Sequence, residues 1–161
     1  MNPPIRVLFV CLGNICRSPL AEGVFRAVVA ARGAEDEFVI DSAGTSGYHA
    51  GEPPDPGSVR IAREHGLDIS RQRSRRLVDA DFQRFDFIIP MDRSNRSRLV
   101  GGLPDERIPL IREFDCEALN NFDVPDPWGG GANGFSDVYE MLARSVDGLL
   151  EHMRHHGRQD R

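Results

Sequence analysis

Apolar residues fall along this chain in two rhythms. Short unbroken runs at residues 5–10, 38–41, 85–90 and 108–111 each predict a buried strand. Between them, apolar positions recur at helical spacing. Leu20, Val24, Ala27, Val28 and Ala31 form one such face, stopped by Gly33. Segment 57–66 ends at Gly66, and segment 92–100 starts at Asp92, a candidate cap. The clearest stripe is Phe135, Val138, Tyr139, Leu142, Val146, Leu149, Leu150 and Met153, one side of a long last helix. Strands alternating with helices predict an α/β domain whose parallel sheet is covered on both faces. Ligands of such sheets bind at the carboxyl ends of the strands, which is where residue 11 stands.

The length of 161 residues suits a single domain over 1–161, with 154–161 as a polar, frayed tail. The Gly/Pro-rich stretches 43–57 and 124–134 read as long loops, and loops of that length usually carry function. A net charge of −5 argues against nucleic acid as the main partner, and every one of the 20 Lys/Arg positions is arginine. No apolar run approaches the roughly 20 residues of a membrane span. The first residues lack the basic and apolar parts of a secretory signal. Three cysteines, an odd number in a chain large enough to fold without disulfides, point to a reducing compartment and so to the cytoplasm.

The chemistry concentrates in Cys11-Leu12-Gly13-Asn14-Ile15-Cys16-Arg17-Ser18, between the first strand and a helix with Ser18 as candidate N-cap and Pro19 at its first position. Backbone N–H groups at such a turn are unpaired, so residues 12–17 can cradle an anion. Arg17 adds a planar, permanently charged fork suited to phosphate. Gly13 and Asn14 both tolerate positive φ, which a tight nest requires. Cys11, amid these dipoles, is placed to attack as a thiolate, with Ser18 in reach of its sulfur. A metal clip at Cys11 and Cys16 lacks the second pair of ligands that zinc needs. His152, His155 and His156 could meet at helical spacing around a metal, or form a solvated end.

These first 18 residues resemble the active-site loop of the low-molecular-weight protein tyrosine phosphatases. The resemblance continues, in the family's order, through Asp41-Ser42-Ala43-Gly44-Thr45, His65-Gly66-Leu67, Phe87-Ile88-Ile89-Pro90-Met91-Asp92-Arg93-Ser94-Asn95 and Asp126-Pro127. It implies a flavodoxin-like three-layer sandwich with a four-stranded parallel sheet. It also implies hydrolysis of a phosphotyrosine-containing protein or peptide through a phosphocysteine, releasing inorganic phosphate, with no metal or other cofactor, no nucleic acid and no membrane. Expelling a phenolate needs a proton, because the phenol has a pKa of roughly 10. The resemblance assigns that role to Asp126, whose backbone is stiffened by Pro125 and Pro127. Tyr48 and Trp128 match walls of a slot for a flat ring, although Trp128 could instead anchor the loop in the core. Ser42 is placed to hydrogen-bond Asn14. Cys16 either pairs reversibly with Cys11 under oxidants, as the resemblance implies, or packs the loop.

Three departures stand out. Gly129-Gly130-Gly131 occupies a place where a second aromatic is common, and Arg71 replaces a frequent histidine. Ile15 stands where phosphoarginine-specific relatives resemble this loop with threonine, which favours an aromatic ester. Arsenate reduction on the same fold is a rival, but its relay needs a further cysteine pair and only Cys116 lies outside the loop. A binding module without catalysis is the other, and it is expected to lose the nucleophile or the acid. The basic run 71–76 reads as a solvated face with local ion pairs, or as a patch that attracts nucleic acid or an acidic peptide.

Overall fold

The first apolar run extends by one residue into β1 (Ile5–Cys11), the centre of the sheet in the computed structural model, which describes residues 2–130 and 132–158. It is flanked by β2 (Phe38–Gly44) and β3 (Phe87–Pro90) in the order β2-β1-β3, with both pairings parallel. Side chains of β1 alternate strictly between two cores, as a strand's period of two requires. Val7, Phe9 and Cys11 face the core covered by α1 (Arg17–Ala31) and α5 (Ala132–His156). Leu8 and Val10 face a smaller core with Ile88, Leu99, Leu103 and Ile108.

The sheet has three strands among the described residues, not the four expected. Residues 108–111 are buried but unpaired, and Ile111–Phe114 tightens into a 3-10 turn. Pro109 has no N–H to donate, and an apolar run reports burial without reporting its hydrogen-bond partners.

The helices follow their local signals closely. Gly33, at φ +63°, ends α1. Between β2 and β3, α2 (Pro56–Glu64) is capped by Asp55, and a short α3 covers Asp81–Arg84. Next, α4 is shorter than expected, Arg93–Ser97, but begins at the Asp92 cap, whose carboxylate accepts from Asn95 N–H at 2.7 Å. The start of α1 differs: Cys16, not Ser18, holds the cap position and makes no side-chain cap bond. Ser18 is thereby freed for the loop.

The stripe of α5 is buried from Phe135 to Met153 except at Tyr139, which is half-buried. The helix runs on through Arg154, His155 and His156, where a frayed tail was expected. Arg154 pairs with Glu37 at 2.7 Å, and Arg107 donates to the Gly157 carbonyl at 2.6 Å. Residues 1, 131 and 159–161 lie outside the described ones. No three His, Cys, Asp or Glu side chains gather as metal ligands among the described residues, and no helix there is long and apolar enough to cross a membrane.

His152 packs against the rings of Phe87 and Phe114, and its Nε2 is buried without a hydrogen-bond partner among the described residues. Burial first, then His156 and His155, lower its pKa from the usual 6.5, while the Glu106 backbone and Glu113 oppose them. Unfolding lets the ring take up a proton, so the stability present above about pH 6.5 is lost as pH falls through the depressed folded value. Urea midpoints of the wild type are expected to drop between about pH 7.5 and 5.5 more steeply than those of His152→Leu. Parallel pH profiles of the two proteins would remove His152 from this role.

Candidate active site

The carboxyl end of β1 delivers Cys11 to a loop five of whose carbonyls accept from donors outside it. Thr45 N–H donates to Cys11 O, Ser46 N–H to Leu12 O and Asp55 N–H to Ile15 O, at 2.9, 2.9 and 2.7 Å. Ser74 and Ser58 hydroxyls donate to Gly13 O and Cys16 O, both at 2.9 Å. A trans peptide points its N–H opposite to its carbonyl. The N–H groups of residues 12, 13, 14, 16 and 17 therefore turn inward, toward the Cys11 side. This is the physical origin of the anion nest.

Positive φ falls on Asn14 alone among the described non-glycine residues, at 55°; Gly13 stays out of that region. Gly13 matters instead for space, since a Cβ there would lie 3.0 Å from His49 Cδ2. Gly44 is needed for a similar reason. A Cβ would meet Leu12 O at 2.8 Å and Ser46 O at 2.9 Å, both backbone atoms that hold the loop.

Beneath the nest runs a chain of hydrogen bonds with a fixed direction. Arg75 N–H donates to Asn14 Oδ1 at 3.0 Å, which orients the amide. Asn14 Nδ2 then donates to Ser42 Oγ at 3.1 Å and to Ser18 Oγ at 2.7 Å. The Ser42 hydroxyl donates to Glu22 Oε1 at 2.8 Å. The Ser18 hydroxyl, already accepting, has two acceptors for its own proton, Cys11 Sγ at 3.1 Å and the Ala43 carbonyl at 3.5 Å, and Ser18 N–H points at the same sulfur from 3.4 Å. The chain thus ends with donors aimed at Cys11. Burial raises the pKa of the Glu22 carboxyl, against hydrogen bonds from Arg26 and Ser42 that lower it.

Arg17 is nearly inaccessible, at 3%. Its Nη1 donates to Asp92 Oδ2 at 2.5 Å and to Val124 O at 3.0 Å, and its Nη2 lies 3.8 Å from Asp126 Oδ2. Burial works against the cation, but the charges of Cys11, Asp92 and Asp126 outweigh it and hold its pKa above the ordinary value. Its Nε is buried with no partner among the described residues. An unsatisfied buried donor on an arginine is costly, and an oxyanion in the cavity would relieve that cost.

Asp126 stands on a loop whose base is clamped. Val124 N–H donates to Met91 O at 2.8 Å, Arg112 donates to Asp123 O at 3.0 Å, and Arg93 N–H donates to the Asp123 carboxylate at 2.9 Å. Trp128 N–H donates to Asp126 Oδ1 at 3.0 Å, leaving Oδ2 toward Arg17. Tyr48 and Trp128 are 88% and 63% exposed, so Trp128 does not anchor the loop in the core.

A cavity of about 370 Å³ joins these parts, lined by Cys11, Leu12, Gly13, Ile15, Cys16, Arg17, Ser46, Tyr48, His49, Asp126 and Trp128. Asn14, Ser18 and Ser42 lie below it in the hydrogen-bond chain. The two loop cysteines differ in kind. Burial, then the charges of Asp55, Asp126 and Cys11, push the pKa of Cys16 up to about 12, so it stays a thiol. Sequence reasoning missed Asp92 as the partner of Arg17, Glu22 as the end of the hydrogen-bond chain, and His49 as a wall. Asp92 was legible only as a helix cap, which it also is; Glu22 carried a signal in lying four residues after Ser18, on the same face of α1.

A cysteine ringed by inward amides and a buried arginine, at the carboxyl end of a parallel sheet, defines a phosphate-binding enzyme site of the cysteine type. The family model for low molecular weight phosphotyrosine protein phosphatase matches residues 6–159. The chain is 40% identical over 155 residues to the low molecular weight phosphotyrosine protein phosphatase of Schizosaccharomyces pombe, covering 94% of this chain and 98% of that protein. Its fold is similar to that of YfkJ from Bacillus subtilis, with TM-score 0.87, 35% identity, and 98% and 99% of the two chains covered. It is also similar to a drosophila arginine phosphatase, with TM-score 0.83, 29% identity, and 97% and 100% covered. The chain belongs to the low molecular weight protein-tyrosine phosphatases, a family of cysteine-based enzymes.

Proposed function

We propose that this chain, acting as one domain in the cytoplasm, hydrolyses phosphotyrosine in a protein or peptide and releases inorganic phosphate. The observation that carries the reading is the ring of inward N–H groups around Cys11 together with the unpaired Nε of Arg17. Those donors match the equatorial oxygens of a phosphoryl group in flight, and they are fixed before substrate arrives. Cys11 sulfur attacks phosphorus, the bond to the tyrosyl oxygen breaks, and Asp126 gives its proton to that oxygen. The phosphocysteine is then attacked by water, which Asp126, now a carboxylate, relieves of a proton. Sulfur leaves as thiolate, received by the Ser18 hydroxyl and N–H. Tyr48 and Trp128 flank the ring of the substrate. Because Cys16 stays protonated, Cys11 is the reactive sulfur, and oxidation under stress begins there.

A second reading, dephosphorylation of phosphoarginine, is supported by the likeness to the drosophila enzyme. Ile15 on the cavity wall weighs against it, since a guanidine leaving group gains nothing from an apolar contact. Arsenate reduction by a three-sulfur relay has less support, because Cys11 and Cys16 line the cavity and Cys116 does not. Phosphate release from matched phosphotyrosine and phosphoarginine peptides, with EDTA and a thiol reductant, separates these readings. Faster turnover of the phosphotyrosine peptide is expected, and preference for phosphoarginine would overturn the assignment.

A further inference from the structure

Beyond β2, the segment around Arg76 continues the sheet's edge. Gly44 N–H donates to Arg75 O at 2.8 Å and Leu77 N–H to Gly44 O at 2.7 Å, pairing Gly44 with Arg76 in a parallel bridge. Gly44 is also the register partner of Cys11. Cys11, Gly44 and Arg76 are thus neighbours across three adjacent chain segments, which sets Arg76 about 10 Å to the side of Cys11. The Arg76 stem lies along Gly47, where an added Cβ would meet Arg76 Cδ at 3.4 Å and Cβ at 3.5 Å. Gly47 stands between Ser46 and Tyr48, two residues of the cavity wall. Arg76 does not line the cavity itself, and its stem beside Gly47 places it next to the wall formed by Ser46 and Tyr48.

Arg73 and Arg75 of the same run are committed. Arg75 pairs with Asp41 and Asp81, both at 3.1 Å, and Arg73 donates to the carbonyls of Ser70 and Gln72. Arg76 is exposed, and its guanidinium has no partner among the described residues. With a phosphotyrosine inserted toward Cys11, the peptide backbone crosses the mouth of the cavity. Residues one or two places away, at about 3.3–3.6 Å each, reach the rim.

We propose that Arg76 reads an acidic side chain flanking the phosphotyrosine, so that the preferred substrates are acidic phosphopeptides. The inference rests on the phosphotyrosine reading above. A guanidinium can engage a carboxylate through two parallel N–H bonds. Exposed ion pairs are nevertheless modest and screened by salt, so the effect is selectivity and not turnover.

The test compares two phosphotyrosine peptides that differ only in carrying glutamates or glutamines on both sides of the phosphotyrosine. At low ionic strength the wild type is expected to show kcat/KM about two- to fivefold higher for the glutamate peptide, converging at about 1 M salt. Arg76→Gln is expected to bring the ratio to about one while turnover of a small aryl phosphate is unchanged, which also reports an intact fold. Arg71→Gln, on a face shared with Glu22 and Arg26, is expected to keep the ratio. An unchanged ratio in Arg76→Gln, or equal loss in Arg71→Gln, overturns the proposal. Hydrolysis of neither peptide by the wild type overturns the phosphotyrosine reading and this inference with it.

Discussion

Replacing Cys11 with serine is expected to lower phosphotyrosine turnover by about 10⁴-fold or more while inorganic phosphate still binds. The hydroxyl occupies the place of the thiol but does not ionise at neutral pH, so the attacking atom is lost. The donors stay. The inward amides are fixed by outward carbonyls that Cys11→Ser does not touch, and Arg17 Nε remains unpaired until an oxyanion arrives. Phosphate should therefore raise the melting temperature of both proteins, by mass action on the folded state. Turnover above about a tenth of wild type in the purified variant would remove Cys11 as nucleophile. Loss of phosphate stabilisation along with turnover would show that the sulfur itself helps to build the anion site.

Asp126→Asn should produce the second largest change, and its size should depend on the leaving group. General acid help is worth about 10²–10⁴-fold where the departing oxygen is strongly basic, and little where it is not. Asparagine keeps the Oδ1 acceptor for Trp128 N–H, so the loop conformation survives the change. What is lost is a carboxyl group able to pass a proton to the leaving oxygen. A series of aryl phosphates from poor to good leaving groups should therefore show a steep dependence in the variant and a shallow one in the wild type. Equal loss across the series would take Asp126 out of the acid role and leave it a partner of Arg17.

The parts of the fold that were legible are those governed by local periodicity. The stripe of α5 and the runs of β1, β2 and β3 each state their own burial, and the Asp92 cap and the Gly33 stop state their own ends. Residues 108–111 show the limit of that language. They are as buried as a strand but have no ladder, because the proline among them cannot donate. Ser18 shows another. Read along the chain it is a helix cap, yet in the fold it is a hydrogen-bond donor to sulfur, and Cys16 takes the cap position instead.

The sequence by itself determined the strand–loop–helix that carries Cys11 and Arg17, the α/β class and the position of the site at the sheet's rim. Those properties depend on spacing within about 20 residues, and spacing is what a chain displays directly. Only the tertiary structure decided which way the loop's peptides face, because that depends on donors supplied by Thr45, Ser46, Asp55, Ser58 and Ser74. It alone brought Asp92 to Arg17 across 75 positions and Asp126 to the same guanidinium. It also ended the chain from Asn14 and Ser42 on Glu22, and set Arg76 two strands from Cys11. Each of these is a pairing of polar groups in three dimensions, which hydrophobic periodicity cannot encode.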